Sequence, residues 1–238
     1  MNLKILSVET SAVSASTAIF EDNVILGEFF NNTRQTHSQT LMPMLKALLD
    51  NCKININDID VFAVSTGPGS FTGVRIGVSA VKGMAMVHSK PCVEVSTLEA
   101  IAFNLKGQDC IACAVMDARC NQVYNALFDV SKNGIKRITE DRALSIYDLK
   151  KELEMHEKNI ILVGDGANLC YNNMLDMKNI FIAPEHLIFQ RASSVAILGA
   201  EYANDKKLVQ ASALMPFYLR LPQAERELNK KQNNVTQI

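Results

Sequence analysis

Hydrophobic and polar positions alternate between two periods along this chain. Leu3 to Val8, Ala15 to Phe20 and Val24 to Phe30 are short apolar or β-branched runs separated by polar turns, which predicts an opening meander of strands. Leu41, Leu45, Leu48 and Leu49 then fall at helical spacing, so a helix is expected from His37 to about Asn51, with Pro43 in its first turn or bending it. Asp60 to Thr66 is a buried-strand pattern and Gly67 to Gly73 a glycine-proline turn. Val74 to Val87 is a helix on which Gly73, Gly77, Ala80 and Met84 share a mostly small face. A strand from Pro91 to Val95 and a helix from Ser96 to Phe103 complete this half.

The pattern restarts after Lys106-Gly107-Gln108-Asp109. Strands are expected over Cys110 to Met116, Gln122 to Val130 and Ile138 to Leu144, and a helix over Ser145 to Glu154. A strand from Asn159 to Val163 ends in the second glycine turn, Gly164-Asp165-Gly166. An apolar stretch, Ile180 to Ala183, and a helix from Ser193 to Asn204 follow. The restart divides the chain into residues 1–106, 107–221 and a polar tail, 222–238, expected to be disordered; the helix near 193–204 is expected to pack back on the first part.

Composition narrows the function classes. Twenty-four basic and 25 acidic side chains leave a net charge of -1, so no global field draws the chain to nucleic acid or to an anionic membrane. No apolar run is long enough to span a bilayer, and the amino terminus lacks the plan of a secretion signal. The six cysteines show no extracellular spacing, which points to reduced thiols and a cytoplasmic protein.

Candidate chemistry lies in the turns. Glu9-Thr10-Ser11 could offer amides and hydroxyls to a phosphate, or simply satisfy its own backbone. Gly164-Asp165-Gly166 has the same two readings, and so does Gly67 to Gly73, which matches neither the P-loop nor the dinucleotide fingerprint. Asp117 and Arg119, with Tyr124, are either a ligand contact or a turn with a surface ion pair. No two of His37, His88, His156 and His186 are spaced to ligate one metal, and His37 reads as a surface or capping residue. Cys110 and Cys113 sit three apart in a strand, so their sulfurs diverge.

Five segments in order resemble one family. Leu6 to Ser11, His37 to Pro43, Ser65 to Gly77, Met116 to Arg119 and Tyr218 to Arg220 resemble the bacterial TsaB, or YeaZ, family, with the run from Gly67 to Gly77 the most specific. The resemblance implies an α/β fold of the actin-like, Hsp70-like and sugar-kinase-like (ASKHA) superfamily, in two related domains of mixed sheet and helices. It implies a non-catalytic scaffold for formation of N6-threonylcarbamoyladenosine (t6A) beside the tRNA anticodon. The scaffold would dock the catalytic subunit TsaD and help recruit the ATPase TsaE. TsaD carries a His pair on the helix that Ser96 to Phe103 matches here, where this chain has no histidine, so no metal is expected. No cofactor of its own is implied, ATP or ADP being admitted in the assembled complex, and tRNA is met through the complex. The docking surface implied is the helix after His37 with the helix after Gly73, represented by Leu41, Leu45, Gly73, Ile76, Gly77, Ala80 and Met84. Self-association through the same patch would give a homodimer. Two other classes stand beside this: a stand-alone ATPase or phosphotransferase using Glu9, Thr10, Ser11, Gly164, Asp165 and Gly166 as paired phosphate turns, and a metallopeptidase of the glycoprotease type.

Overall fold

A computed structural model describes residues 3–220; the tail expected to be disordered, 222–238, lies outside the described residues. The opening meander forms as β1 (Ile5–Glu9), β2 (Ala15–Glu21) and β3 (Val24–Asn31). Next come α1 (His37–Cys52), β4 (Val61–Gly67), α2 (Phe71–Val87), β5 (Cys92–Ser96) and α3 (Thr97–Phe103). The second half runs β6 (Cys110–Asp117), β7 (Gln122–Ser131), β8 (Gly134–Arg137), β9 (Arg142–Ser145), α4 (Ile146–Leu153), β10 (Ile160–Val163), α5 (Ala167–Asn172), β11 (Ile180–Ile182) and α6 (Ala192–Asn204). The strand expected over Ile138 to Leu144 forms only from Arg142 on, as β9, which returns to pair with the start of β7; β8, a strand not expected from the sequence, precedes it and pairs with the end of β7. Pro43 lies inside α1, past its first turn.

The strand orders are β3-β2-β1-β4-β5 and β8-β7-β6-β10-β11. In each sheet the first three strands in sequence pair antiparallel, and β4 and β5, like β10 and β11, join in parallel through helical crossovers, with β9 an antiparallel addition on β7. The two halves are therefore two copies of one α/β plan. This is the topology of the ASKHA superfamily.

Side-chain alternation on β1 shows how the first sheet is covered. Leu6 and Val8 join Leu41, Leu45, Leu48, Val74 and Val78 in a core under α1 and α2, while Ile5 joins Val195, Ala196 and Leu198 of α6 on the other face. Fully burying each such aliphatic side chain contributes about 1.5–3 kcal/mol. The helices cross over: α6, from the second half, packs on β1, β2, β4 and β5, and α3, from the first half, packs on β6 and β7. Gly199 makes the first crossing possible, because a Cβ there would stand 2.7 Å from that of Ala63 on β4.

Candidate functional site

The β1–β2 turn is closed on itself. Glu9 is fully buried, and its Oε1 accepts the Ser11 amide at 2.6 Å. Burial raises the Glu9 pKa; the Ser11 and Ser65 hydroxyls beside the carboxylate and the nearby His37 oppose that rise. Glu9 Oε2 and the Ser11 and Ser65 hydroxyls nonetheless lack a hydrogen-bond partner in good geometry. Thr10 donates its hydroxyl to the Gly73 carbonyl at 2.8 Å, and the Ser70 amide donates to the Ser11 carbonyl at 2.6 Å. A Cβ on Gly69, Gly73 or Gly77 would strike Ser11 or Thr10. Gly69, Gly73 and Gly77 are there because the β1–β2 turn lies against them.

His37 belongs to the same knot. Its Nε2 lies 2.7 Å from the Ala12 carbonyl, which can only accept, so Nε2 carries the proton. The expected surface or capping role is thus corrected: Thr36 holds the N-cap position of α1, and the imidazole ties α1 to the turn.

Across from this knot stands the second glycine turn. Gly164 adopts φ 110° and donates its amide to Ile188 at 2.7 Å, and the Gly166 amide donates to Val115 at 3.1 Å. Asp165 accepts from Gln190 at 3.2 Å; burial, reinforced by Asp117, raises its pKa to about 6. Asp117 caps the Arg119 amide at 2.8 Å and meets the Arg119 guanidinium at 3.4 Å. Ser11, Arg34, Thr72, Asp117, Asp165 and Arg220 line one cleft of about 720 Å³ between the halves.

Of the two readings that the sequence left open for the glycine and hydroxyl turns, their own hydrogen bonds favour the self-satisfied one. The turns do face one cleft, yet the Ser11, Gly164 and Gly166 amides and the Thr10 hydroxyl are spent within the chain.

The docking stripe is corrected in part. Leu41 and Leu45 are 1% and 2% exposed and belong to the core, and Gly73 and Gly77 are covered by Thr10. Ile76, Ala80 and Met84 remain partly exposed. The free face of α2 is one step around the helix, along Thr72, Arg75, Ile76, Ser79, Gly83 and Met86.

Phe217, outside every motif, and Tyr218 and Arg220, singled out only within one, close one side of the cleft. The Phe217 amide donates to the Thr66 carbonyl at 2.7 Å, and its own carbonyl packs against Gly67. Arg75 Nε donates to the Tyr218 hydroxyl at 2.8 Å and its guanidinium lies 3.7 Å from the centre of the Phe71 ring. Arg220 donates to the Ala118 carbonyl at 3.3 Å and to Gln122. Arg34, which also lines the cleft, carries no sequence signal beyond its charge.

Duplicated sheets, crossed helices and a cleft bounded by turns from both halves define an actin-like α/β protein. The family model described as TsaD, tRNA N6-adenosine threonylcarbamoyltransferase, matches residues 25–228. The tRNA threonylcarbamoyladenosine biosynthesis protein TsaB of Bacillus subtilis is 29% identical over 94% of this chain and 96% of its own length. The Escherichia coli protein of the same name is 27% identical over 97% of this chain and 100% of its own. The solved structure of YeaZ from Pseudomonas aeruginosa superposes with a TM-score of 0.80 at 23% identity, covering 91% of this chain and 100% of that one. The chain belongs to the TsaD family and, within it, to the TsaB (YeaZ) group.

Proposed function

We propose that this chain is a non-catalytic scaffold for t6A formation on tRNA, docking the catalytic TsaD chain and helping to recruit the ATPase TsaE. The names of its relatives support the pathway. The observation that carries the docking role is the outer face of α1 and α2. Met42 and Met86 are 52% and 59% exposed there, over a core that Leu41, Leu45 and Val78 already fill. Methionine on an accessible helix pair suits contact with another helical surface. The chain's own cleft turns, with their amides spent internally, support a partner as the seat of catalysis. ATP or ADP enters with the assembled complex, tRNA is met through it, and the isolated chain pairs with itself through the same face. The chain works in the cytoplasm; among the described residues no helix is long and apolar enough to cross a membrane.

The test is reconstitution of tRNA modification from TsaD, TsaE and the adenylate-forming enzyme, with and without this chain. Modification is expected only with it, and full activity in its absence overturns the scaffold reading. Asp117→Asn and Asp165→Asn are expected to support the full rate; loss of turnover with association intact would instead make the chain catalytic.

A further inference from the structure

Residues 214–220 touch both halves of the molecule and belong to no helix or strand. The segment starts firmly on the first half. Val209 and Cys92 exchange two backbone hydrogen bonds of 2.9 Å, Lys82 donates to the Ser212 and Leu214 carbonyls at 2.8 and 3.3 Å, and Leu214 is fully buried under α2. It then runs over the start of α2, where Phe217 bonds Thr66 and the Tyr218 ring packs 4.7 Å from that of Phe71. Its last described residue, Arg220, reaches across the cleft to the β6–β7 turn.

The two ends differ in kind. The first-half end is held by backbone pairing and a buried leucine. Among the described residues, the second-half end is held by one guanidinium, on Ala118, on Gln122 and, at 5.6 Å, over the Tyr124 ring. The turn it grips carries three consecutive non-glycine residues in the left-handed region, Arg119, Cys120 and Asn121, at φ 65°, 53° and 56°. Such a turn persists only while its surroundings hold it.

We propose that residues 214–220 are a strap coupling the outer face of α2 to the width of the cleft, with Arg220 as its latch. Arg75 is the coupling element. It is exposed on the outer face of α2, and its Nε holds the Tyr218 hydroxyl two residues before the latch. A partner group that draws Arg75 into its own hydrogen bonds takes it from Tyr218 and loosens the strap. Release of Arg220 frees the β6–β7 turn from the first half, and the cleft opens. The partner's part in this inference rests on the docking face proposed above, whereas the strap and its latch are tested below on the chain alone.

Spin labels on the full chain test it, one on native Cys120 in the β6–β7 turn and one on an introduced Thr72→Cys at the opposite lip, in a Cys52→Ser background. The chain with its native strap is expected to give one narrow distance distribution. Arg220→Ala is expected to add a longer population, raised about tenfold or more over wild type, because charge-assisted hydrogen bonds are lost. Arg220→Lys, which keeps the charge without the planar fork, is expected to fall between. Arg75→Ala, on the far side of the strap, is expected to broaden the distribution in the same direction. An unchanged distribution in a folded Arg220→Ala chain overturns the latch. Broadening by Arg220→Ala with none by Arg75→Ala overturns the coupling.

Discussion

The Thr10 hydroxyl and Gly77 occupy one point in space: a Cβ on Gly77 would collide with Thr10 Oγ1, which is itself bonded to the Gly73 carbonyl at 2.8 Å. The first turn of the chain and the central helix are therefore fitted to each other by the absence of a side chain on one and the presence of a hydroxyl on the other.

That fit makes the two positions non-additive. Thr10→Ala alone is expected to cost about 1 kcal/mol for the lost hydrogen bond, and Gly77→Ala alone about 1–3 kcal/mol for overpacking. Combined, they are expected to cost less than the sum, since removing the hydroxyl makes room for the methyl. A double-mutant cycle of denaturant unfolding checks this; strict additivity would show that the contact is not shared. Gly77→Leu is expected to unfold the chain rather than to block a partner.

Docking is better probed on the accessible line of α2. Ser79→Arg adds bulk and charge at an exposed position and is expected to abolish capture of TsaD while leaving the melting temperature within a degree or two, about what a neutral surface change allows. Retained capture at wild-type affinity would move the interface elsewhere.

Asp165 has a folded pKa of about 6, raised by burial and by Asp117, against 3.8 for the ordinary side chain. A raised pKa means the folded state binds the proton more tightly. The stability it contributes is fully present below the unfolded value and is lost as pH rises through 6. Between pH 4 and 6 this group should make unfolding free energy fall as pH rises, by roughly 1–2 kcal/mol. Asp165→Asn is expected to flatten that window and to be neutral or stabilising at pH 7; an unaltered pH profile would show that Asp165 titrates normally.

The thiols should separate by burial. Cys92 and Cys110 are pushed up to about 11, Cys170 to about 12 and Cys113 well above the usual range, all chiefly by desolvation. Cys120 is exposed. Native alkylation followed by peptide mass mapping is expected to modify Cys120 first, with these four reacting only after unfolding. Early modification of Cys113 would contradict the packing of β6.

Much of the fold is legible in the local pattern. Alternation marks β1 to β3, leucine spacing marks α1, and the restart at Cys110 marks the second copy. These features depend on neighbours within a few residues, where periodicity and turn chemistry act. The small face on α2 was legible as well, but not what covers it. Periodicity says that Gly73 and Gly77 share a side of a helix; it carries no information about which element lies against that side. Hence Thr10, rather than a partner helix, occupies the place. The same limit explains the phosphate turns, because whether an amide is free depends on carbonyls such as those of Ile188 and Val115, which reach it only in three dimensions. The strap carries no period at all, and its contacts join Arg75 to Tyr218 and Ala118 to Arg220, pairs more than a hundred positions apart.

By itself, then, the sequence determined the elements, their duplication and the family motif from Gly67 to Gly77, because each rests on short-range backbone preference and side-chain spacing. The tertiary structure alone decided that the glycines of that motif receive the β1–β2 turn, that the accessible face of α2 lies one step further round, and that the segment ending in Arg220 spans the cleft. Those outcomes depend on which surfaces meet when two sheets exchange helices, and on the hydrogen bonds and excluded volume that only meeting surfaces create.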